Sequence, residues 1–359
     1  MGIVFPAVST QVSIARCIAT TLRCAYGIDP QDAFKQSSVR IEEIVDSDLR
    51  LPLQTLNHLW EAAASASGDE AFGLRAVDYL RPEDRFGLDL MVHASPTLGE
   101  AVRRRSEFAP LLSTAVEYRL SQDVHGNWRL AFLTPGSGLR ATCYARDLMI
   151  GVFLKTFARQ CGFPASHFLQ AIHFAGDEAG AVDGWRQQGL NVFYQQPQTE
   201  LVFLNMYWNS SSLGADIELL NHLQRPMAKR LVSMGLCVPL STLMSGLADL
   251  LADEPCLDML TTNLQLSQSE ISRSLEHHGL SFNQLLNRTR HQTTLRLLVR
   301  QELSVDEIAR RVGLSKASSL IRALHRWEGV TPKQWRKRSL QHFPPAFIPW
   351  GSSNGSTYI

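Results

Sequence analysis

The chain has 359 residues, 45% of them apolar, with 35 Lys and Arg against 34 Asp and Glu for a formal charge of +1. That length allows two or three compact domains, each with its own core, in a composition typical of a soluble globular protein. No stretch approaches the roughly twenty apolar residues needed to span a bilayer, which excludes a membrane-spanning helix and, by expectation, a membrane partner.

The opening MGIVFPAVSTQVS places no basic residue before its short apolar run and does not read as a secretory signal. Six cysteines, none in a CxxC pair, fit reduced thiols and a cytoplasmic location. The first predicted element is a helix over 9–26, with Cys17 and Cys24 seven apart on one face. A second helix follows over 53–67, with Leu56, Leu59 and Trp60 on one side, and shorter helices over 69–77 and 85–94. Thr97-Leu98-Gly99-Glu100 has the form of a capping box opening a helix toward Leu112. The period then changes to two. Residues 114–121 and 127–134 read as strands joined by a turn around His125-Gly126-Asn127. A long apolar helix is expected over 139–161, strands over 168–174 and 200–204, and a helix over 179–188. Together these predict an α+β domain over residues 1–235 that can enclose a pocket.

Beyond residue 235 the pattern turns helical, and one motif occurs twice. The segments LDMLTTNLQLSQSEISRSLEHHGLSFNQLL and SVDEIARRVGLSKASSLIRALHRWEGVTPKQW each give a short helix, a tight turn ending in serine, and a second helix. This is the layout of a helix-turn-helix, whose second helix enters the DNA major groove. In the later copy Ile308, Val312, Leu314, Leu320 and Leu324 recur at spacings that can seal a small core. Ala309 is small where the helices cross, Gly313 suits a positive φ, Ser315 is placed to cap the following helix, and Thr331-Pro332 opens another. The earlier copy has Thr261 and Gln265 in place of Ala309 and Gly313, while Ser267 with Glu270 forms a capping box.

The later copy resembles the signature of AraC/XylS-type transcription regulators. The resemblance rests on Ile308-Ala309, Gly313-Leu314-Ser315, Ser319, Arg322-Ala323, Arg326-Trp327, Gly329-Val330-Thr331-Pro332 and Trp335-Arg336. The family often has Phe where this chain has Leu314, Leu320 and Leu324, which preserves apolar packing. It often has a small polar residue at Ile321, a position facing the groove. Upstream, Gly68-Asp69, Ala71-Phe72-Gly73-Leu74, Phe86-Gly87 and Ser95-Pro96-Thr97-Leu98-Gly99-Glu100-Ala101 resemble the effector domain of the arabinose-binding-type subgroup, a historical name that does not fix the ligand.

These resemblances imply an α+β effector-sensing or dimerisation domain over 1–235. An all-α DNA-binding domain would follow over 236–342, with two helix-turn-helix motifs near 257–278 and 304–326. A long helix over 282–301 would hold the recognition helices about one DNA turn apart. Residues 343–359 read as a flexible tail. Carried over position by position, the groove-facing residues are Ser269, Ser272 and Arg273 in the first recognition helix and Ala317, Ser318, Ile321 and Arg322 in the second. Each arginine can bind guanine through two hydrogen bonds or clamp a phosphate, and Ile321 can meet a thymine methyl. Arg310, Arg311, Lys316, Lys333, Arg336, Lys337 and Arg338 read as backbone contacts or solubility charges. Residues 271–342 hold 14 Lys and Arg against 5 Asp and Glu, a basic segment on an otherwise acidic chain and the footprint of a nucleic-acid reader.

Enzymatic signals are weak. Gly136-Ser137-Gly138-Leu139-Arg140-Ala141 satisfies GxGxxA, but no acidic residue lies about twenty positions on and no βαβ alternation surrounds it, so a strand-to-helix turn is the better reading. No HExxH occurs, and Asp177, Glu178 and Asp183 read as loop solvation. The expectation is a sequence-specific DNA-binding regulator, not an enzyme, with no cofactor and no metal. Its expected partners are double-stranded DNA, a small-molecule effector, RNA polymerase if it activates, and a second copy of itself. Tyr118, Trp128, Arg140 and Tyr144 are candidate pocket residues, but the effector-binding residues stay unassigned. A protein-interaction adaptor that keeps the fold without binding DNA is the alternative.

Overall fold

The computed structural model describes residues 8–35, 49–136, 138–176, 181–212 and 214–342; the tail, Ser137, Asp177 and Glu178 lie outside them. The chain divides into two compact units, Met1–Leu243 with Thr261–Leu280, and Met244–Leu260 with Ser281–Ile359.

In the first unit the helices Val12–Tyr26 and Leu53–Ser67 pack Ile18, Leu22, Leu59, Trp60 and Ala63 into one core. Both end at glycines with left-handed backbone, Gly27 at φ 67° and Gly68 at φ 65°, as helix C-termini favour. Residues 9–11, expected as the helix start, instead form β1 (Ser9–Gln11), antiparallel to β2 (Arg50–Pro52). Arg50 fixes this ribbon by donating to the Ser9 carbonyl at 2.9 Å and the Leu111 carbonyl at 2.8 Å, a long-range tie with no local periodicity. Cys17 is buried, and burial pushes its thiol up to about 12, whereas Cys24 is exposed. The two do share a helical face, but the helix leaves the core in its last turn.

A five-stranded sheet follows: β3 (Glu117–Gln122), β4 (Trp128–Leu133), β5 (Leu169–Ala175), β6 (Val192–Gln196) and β7 (Thr199–Phe203). Its order is β3-β4-β7-β5-β6, antiparallel except for the parallel β5–β6 pair. The β3–β4 hairpin turns where expected, with Gly126 at φ 82° and the Asp123 carboxylate accepting from the His125 and Asn127 amides at 2.9 Å. The helix Cys143–Cys161 lays Phe153, Leu154 and Phe157 into a core with Leu130, Ile172, Leu201 and Phe203. It starts four residues later than predicted, where the Thr142 hydroxyl accepts from the Ala145 amide at 3.2 Å. The helix therefore does not begin within the Gly136–Ala141 stretch, whose described residues form a loop leading to Thr142.

Several of the motif residues are explained by packing. A Cβ on Gly73 would lie 2.1 Å from the Tyr144 carbonyl oxygen, and one on Gly99 would lie 2.4 Å from the Trp208 indole nitrogen. Phe86 and Gly87 are consecutive left-handed residues at φ 53° and 74°, so the helix expected over 85–94 begins only at Leu88. Thr97 caps the helix Leu98–Glu107 by accepting from the Glu100 amide at 3.2 Å.

The second unit is helical. Its helices Phe282–Leu298, Val305–Arg311, Ala317–Glu328 and Pro332–His342 enclose Leu251, Leu298, Leu303, Ile308, Val312, Leu320 and Leu324. Trp327 lies 4.8 Å from the His291 ring, and His291 Nε2 is 2.7 Å from Glu328 Oε1, tying the first and third of these helices.

Candidate nucleic-acid interface and effector cavity

The second motif is built from its turn outward. Ser304 and Glu307 form a reciprocal capping box at 2.9 and 3.2 Å, and the Ser304 amide and hydroxyl, both donating to the Glu307 carboxylate, hold it below its usual value. Gly313 has φ 70°, the Leu314 amide donates to the Ala309 carbonyl at 2.8 Å, and Arg290 donates to the Val312 and Gly313 carbonyls at 3.0 and 3.2 Å. Arg290 is a structural cation that sequence reasoning missed, since nothing in the linear pattern points it at a turn. The recognition helix Ala317–Glu328 buries Leu320, Ala323 and Leu324. Ser318, Ile321, Arg322, His325 and Arg326 are exposed, and Ala317 is half-buried.

Two expectations for this motif are corrected. Ser315 does not cap the helix: the N-cap position is Lys316, in extended conformation at φ −145°, with no side-chain cap. Arg336 is not a free surface charge. It donates to the Leu298 and Leu303 carbonyls, closing the C-terminal end of the helix Phe282–Leu298.

The first motif comprises the helices Leu257–Leu264 and Gln268–His277. Here the capping box is complete, with the Ser267 amide donating to the Glu270 carboxylate at 2.7 Å and Ser267 accepting from the Glu270 amide at 3.3 Å; the Ser267 amide and hydroxyl, both donating to that carboxylate, lower the Glu270 pKa. Gln265 takes φ 53° where Gly313 stands in the other copy, and the Leu266 amide donates to Thr261 as Leu314 donates to Ala309. The turns therefore match with Ser267 opposite Ser315. The recognition helices do not keep that register. The first begins at Gln268 and the second at Ala317, one residue later than the turn alignment requires.

The buried triads show the same shift, Ile271, Ser274 and Leu275 corresponding to Leu320, Ala323 and Leu324. Under this register Ser269 stands opposite Ser318, Ser272 opposite Ile321, and Arg273 opposite Arg322. All six are exposed.

Within the first unit, the segment Thr261–Leu280 is tied to the preceding chain. Arg225 of the helix Ile217–Ser233 donates to Asn263 at 3.0 Å, and Lys229 donates to Gln265 at 2.6 Å. The Val238 amide donates to the Ser274 hydroxyl at 2.8 Å, His278 Nε2 is 2.9 Å from the Val238 carbonyl oxygen, and Arg273 reaches the Leu236 carbonyl at 3.4 Å. The Ser241 amide donates to Glu107 at 3.2 Å, and burial raises the pKa of that carboxyl.

The same unit contains a cavity of about 640 Å³, within the size range of small-molecule sites. Ile14, Leu53, Trp60, Leu148, Met149 and Val152 supply apolar walls, and Arg105 and Tyr118 are among its polar lining residues, with Glu117, Arg119 and Gln198. Tyr118 donates to the Met149 sulfur at 3.0 Å and is pushed up to about 12 by burial. Of the four candidate pocket residues, Tyr118 and Arg140 line the cavity. Trp128 does not: it stacks on Trp208 at 4.6 Å, beneath the Arg103 guanidinium. Tyr144 is also absent from the lining; its backbone instead receives Gly73. Arg105, buried at 3% exposure, was missed because Arg103-Arg104-Arg105 looks like a solvated helical charge run.

Among the described residues, no cluster of His, Cys, Asp and Glu could hold a metal, and no helix is long and apolar enough to cross a membrane.

Residues 27–211 match the family model described as the arabinose-binding domain of AraC transcription regulator, N-term, and residues 260–338 match a helix-turn-helix domain model. The chain is 24% identical over 327 residues to the ornithine utilization regulator of Pseudomonas aeruginosa, covering 87% of this chain and 92% of that protein. It is 30% identical over 151 residues to the HTH-type transcriptional regulator VirS of Mycobacterium tuberculosis, covering 42% of this chain and 38% of VirS. The crystal structure of the transcriptional regulator CdpR from Pseudomonas aeruginosa shares the fold at a TM-score of 0.51 and 15% identity, over 90% of this chain and 98% of that one. The chain belongs to the AraC family: it is a DNA-binding transcription regulator with an arabinose-binding-type N-terminal domain.

Proposed function

We propose that this regulator reads DNA with both recognition helices, placed in successive major grooves, under the control of a small-molecule effector held in the cavity of the first unit. Ser269, Ser272 and Arg273 are the groove-facing residues of one helix, and Ala317, Ser318, Ile321 and Arg322 those of the other. The observation that carries this reading is the repeated surface pattern: two helices of unlike sequence expose an arginine at the same register position, above equivalent buried triads. A fold kept only for protein interaction has no need to repeat that feature.

The DNA-binding domain is proposed to cover residues 236–342, with 1–235 as effector-sensing and dimerisation domain. The first motif nevertheless packs with the first unit through Arg225, Lys229, Val238 and Leu236. An effector that binds two arrangements of those contacts unequally shifts the DNA-bound population. Regulation through a homodimer, and contact with RNA polymerase where it activates, complete the proposal.

A salt titration of duplex binding tests it. A protein contacting six to ten phosphates loses roughly three to five decades of affinity between about 50 and 200 mM salt. The expected result is a linear log–log decline of that steepness on the upstream region of its own gene. Affinity independent of salt, or no duplex binding by the folded protein, contradicts the proposal and favours the adaptor reading.

A further inference from the structure

We infer that the cavity takes a monocarboxylate with an apolar body, its carboxylate held by Arg105; this rests on the effector-cavity reading above. Arg105 is carried on the helix Leu98–Glu107 and lines the cavity at 3% exposure. A guanidinium does not deprotonate in proteins, so burial here means burying a charge, which is costly unless that charge is paired and hydrogen-bonded.

Its neighbours do not supply that pairing. Among the described residues Arg105 has no ion-pair partner, and its Nε has no hydrogen-bond acceptor. Asp89, the carboxylate acting on it most directly, is engaged by Arg85 and by the Thr156 hydroxyl. Glu107, two residues on, accepts from Ser241. The guanidinium lies over the Phe153 ring, 4.5 Å from its centroid, which orients the fork but does not neutralise it.

The rest of the lining selects the class of anion. Arg146 is committed to Asp147 at 3.1 Å, and Arg119 and Arg140 are exposed. One buried guanidinium matches a single carboxylate through two parallel hydrogen bonds, whereas a phosphate dianion would need further buried cations. The apolar walls of Ile14, Leu53, Trp60, Leu148, Met149 and Val152 then hold an aliphatic or aromatic body.

The test uses the full chain with two probe pairs, decanoate against decanamide and naphthoate against naphthamide, read by equilibrium dialysis and by the thermal midpoint. The expected result is saturable binding of the acids only. Arg105→Met should weaken it by about ten- to a hundredfold, with Arg105→Lys between the two. Arg105→Met should also unfold no earlier than the parent without ligand, because it removes an unpaired buried charge.

Equal binding of acids and amides, acid binding that survives Arg105→Met, or no binding by either series overturns the carboxylate assignment and leaves the cavity reading standing. Ala145→Trp, which fills the cavity from the helix Cys143–Cys161, tests that reading separately. Acid binding lost in Arg105→Met but retained in Ala145→Trp moves the site elsewhere and overturns both.

Discussion

Gly313→Ala is expected to unfold the second helix-turn-helix and abolish its share of DNA binding. Gly313 has φ 70°, a left-handed conformation that costs an L-residue roughly 1–2 kcal/mol. The added Cβ would also lie 2.1 Å from the Leu251 carbonyl oxygen, a backbone atom that cannot rotate away. Overpacking of this kind costs about 1–3 kcal/mol, so the total is about 2–5 kcal/mol. The core it damages is small, built on Leu251, Ile308, Val312 and Leu320, and the turn carbonyls held by Arg290 would move with it. Thermal unfolding followed by Trp327 and Trp335 fluorescence should show a lowered transition for the second unit, with the first unit unchanged. A variant with native stability and native DNA affinity would mean that the turn relaxes freely, contrary to the geometry.

Arg322→Ala and Arg273→Ala are expected to give the second largest effect, on recognition rather than on stability. Both side chains are exposed and their helices are held by other residues, so folding should be unaffected. An arginine reading guanine contributes roughly 1–3 kcal/mol at one base pair, and its loss relaxes preference at that position alone. An arginine on phosphate instead weakens all sequences alike and lowers the salt slope by about one. Titrating each variant over single-base operator variants separates the two. Arg273 already touches the Leu236 carbonyl at 3.4 Å and must give up that contact to reach a base, so its loss should be the smaller. Native affinity and preference in both variants would remove these helices from the interface.

Much of the fold is legible in the sequence where one local rule dominates. The helix Leu53–Ser67 follows from apolar spacing and a terminal glycine, the β3–β4 hairpin from Asp123 and Gly126, and the Ser267–Glu270 and Ser304–Glu307 boxes from serine three residues before glutamate. The family motifs carried the two-domain reading. What escapes is whatever a distant partner decides. β1 is extended because β2 pairs with it, and β6 is a strand because β5 offers it a parallel edge, although Val192–Gln196 is half polar. Ser315 looks like Ser267, but the second turn holds one more residue, which passes the N-cap to Lys316. Arg105, Arg290 and Arg336 have the sequence appearance of solvated cations, yet each sits where a cavity or a helix end receives it. Charge identity is local; charge environment is not.

Hydroxyl-radical footprinting of the full chain on its target duplex decides whether both recognition helices read DNA. Two protected segments are expected on one face of the DNA, about one helical turn apart, with Arg322→Ala weakening one and Arg273→Ala the other. A single protected segment, with both substitutions acting on it or neither acting at all, would contradict it.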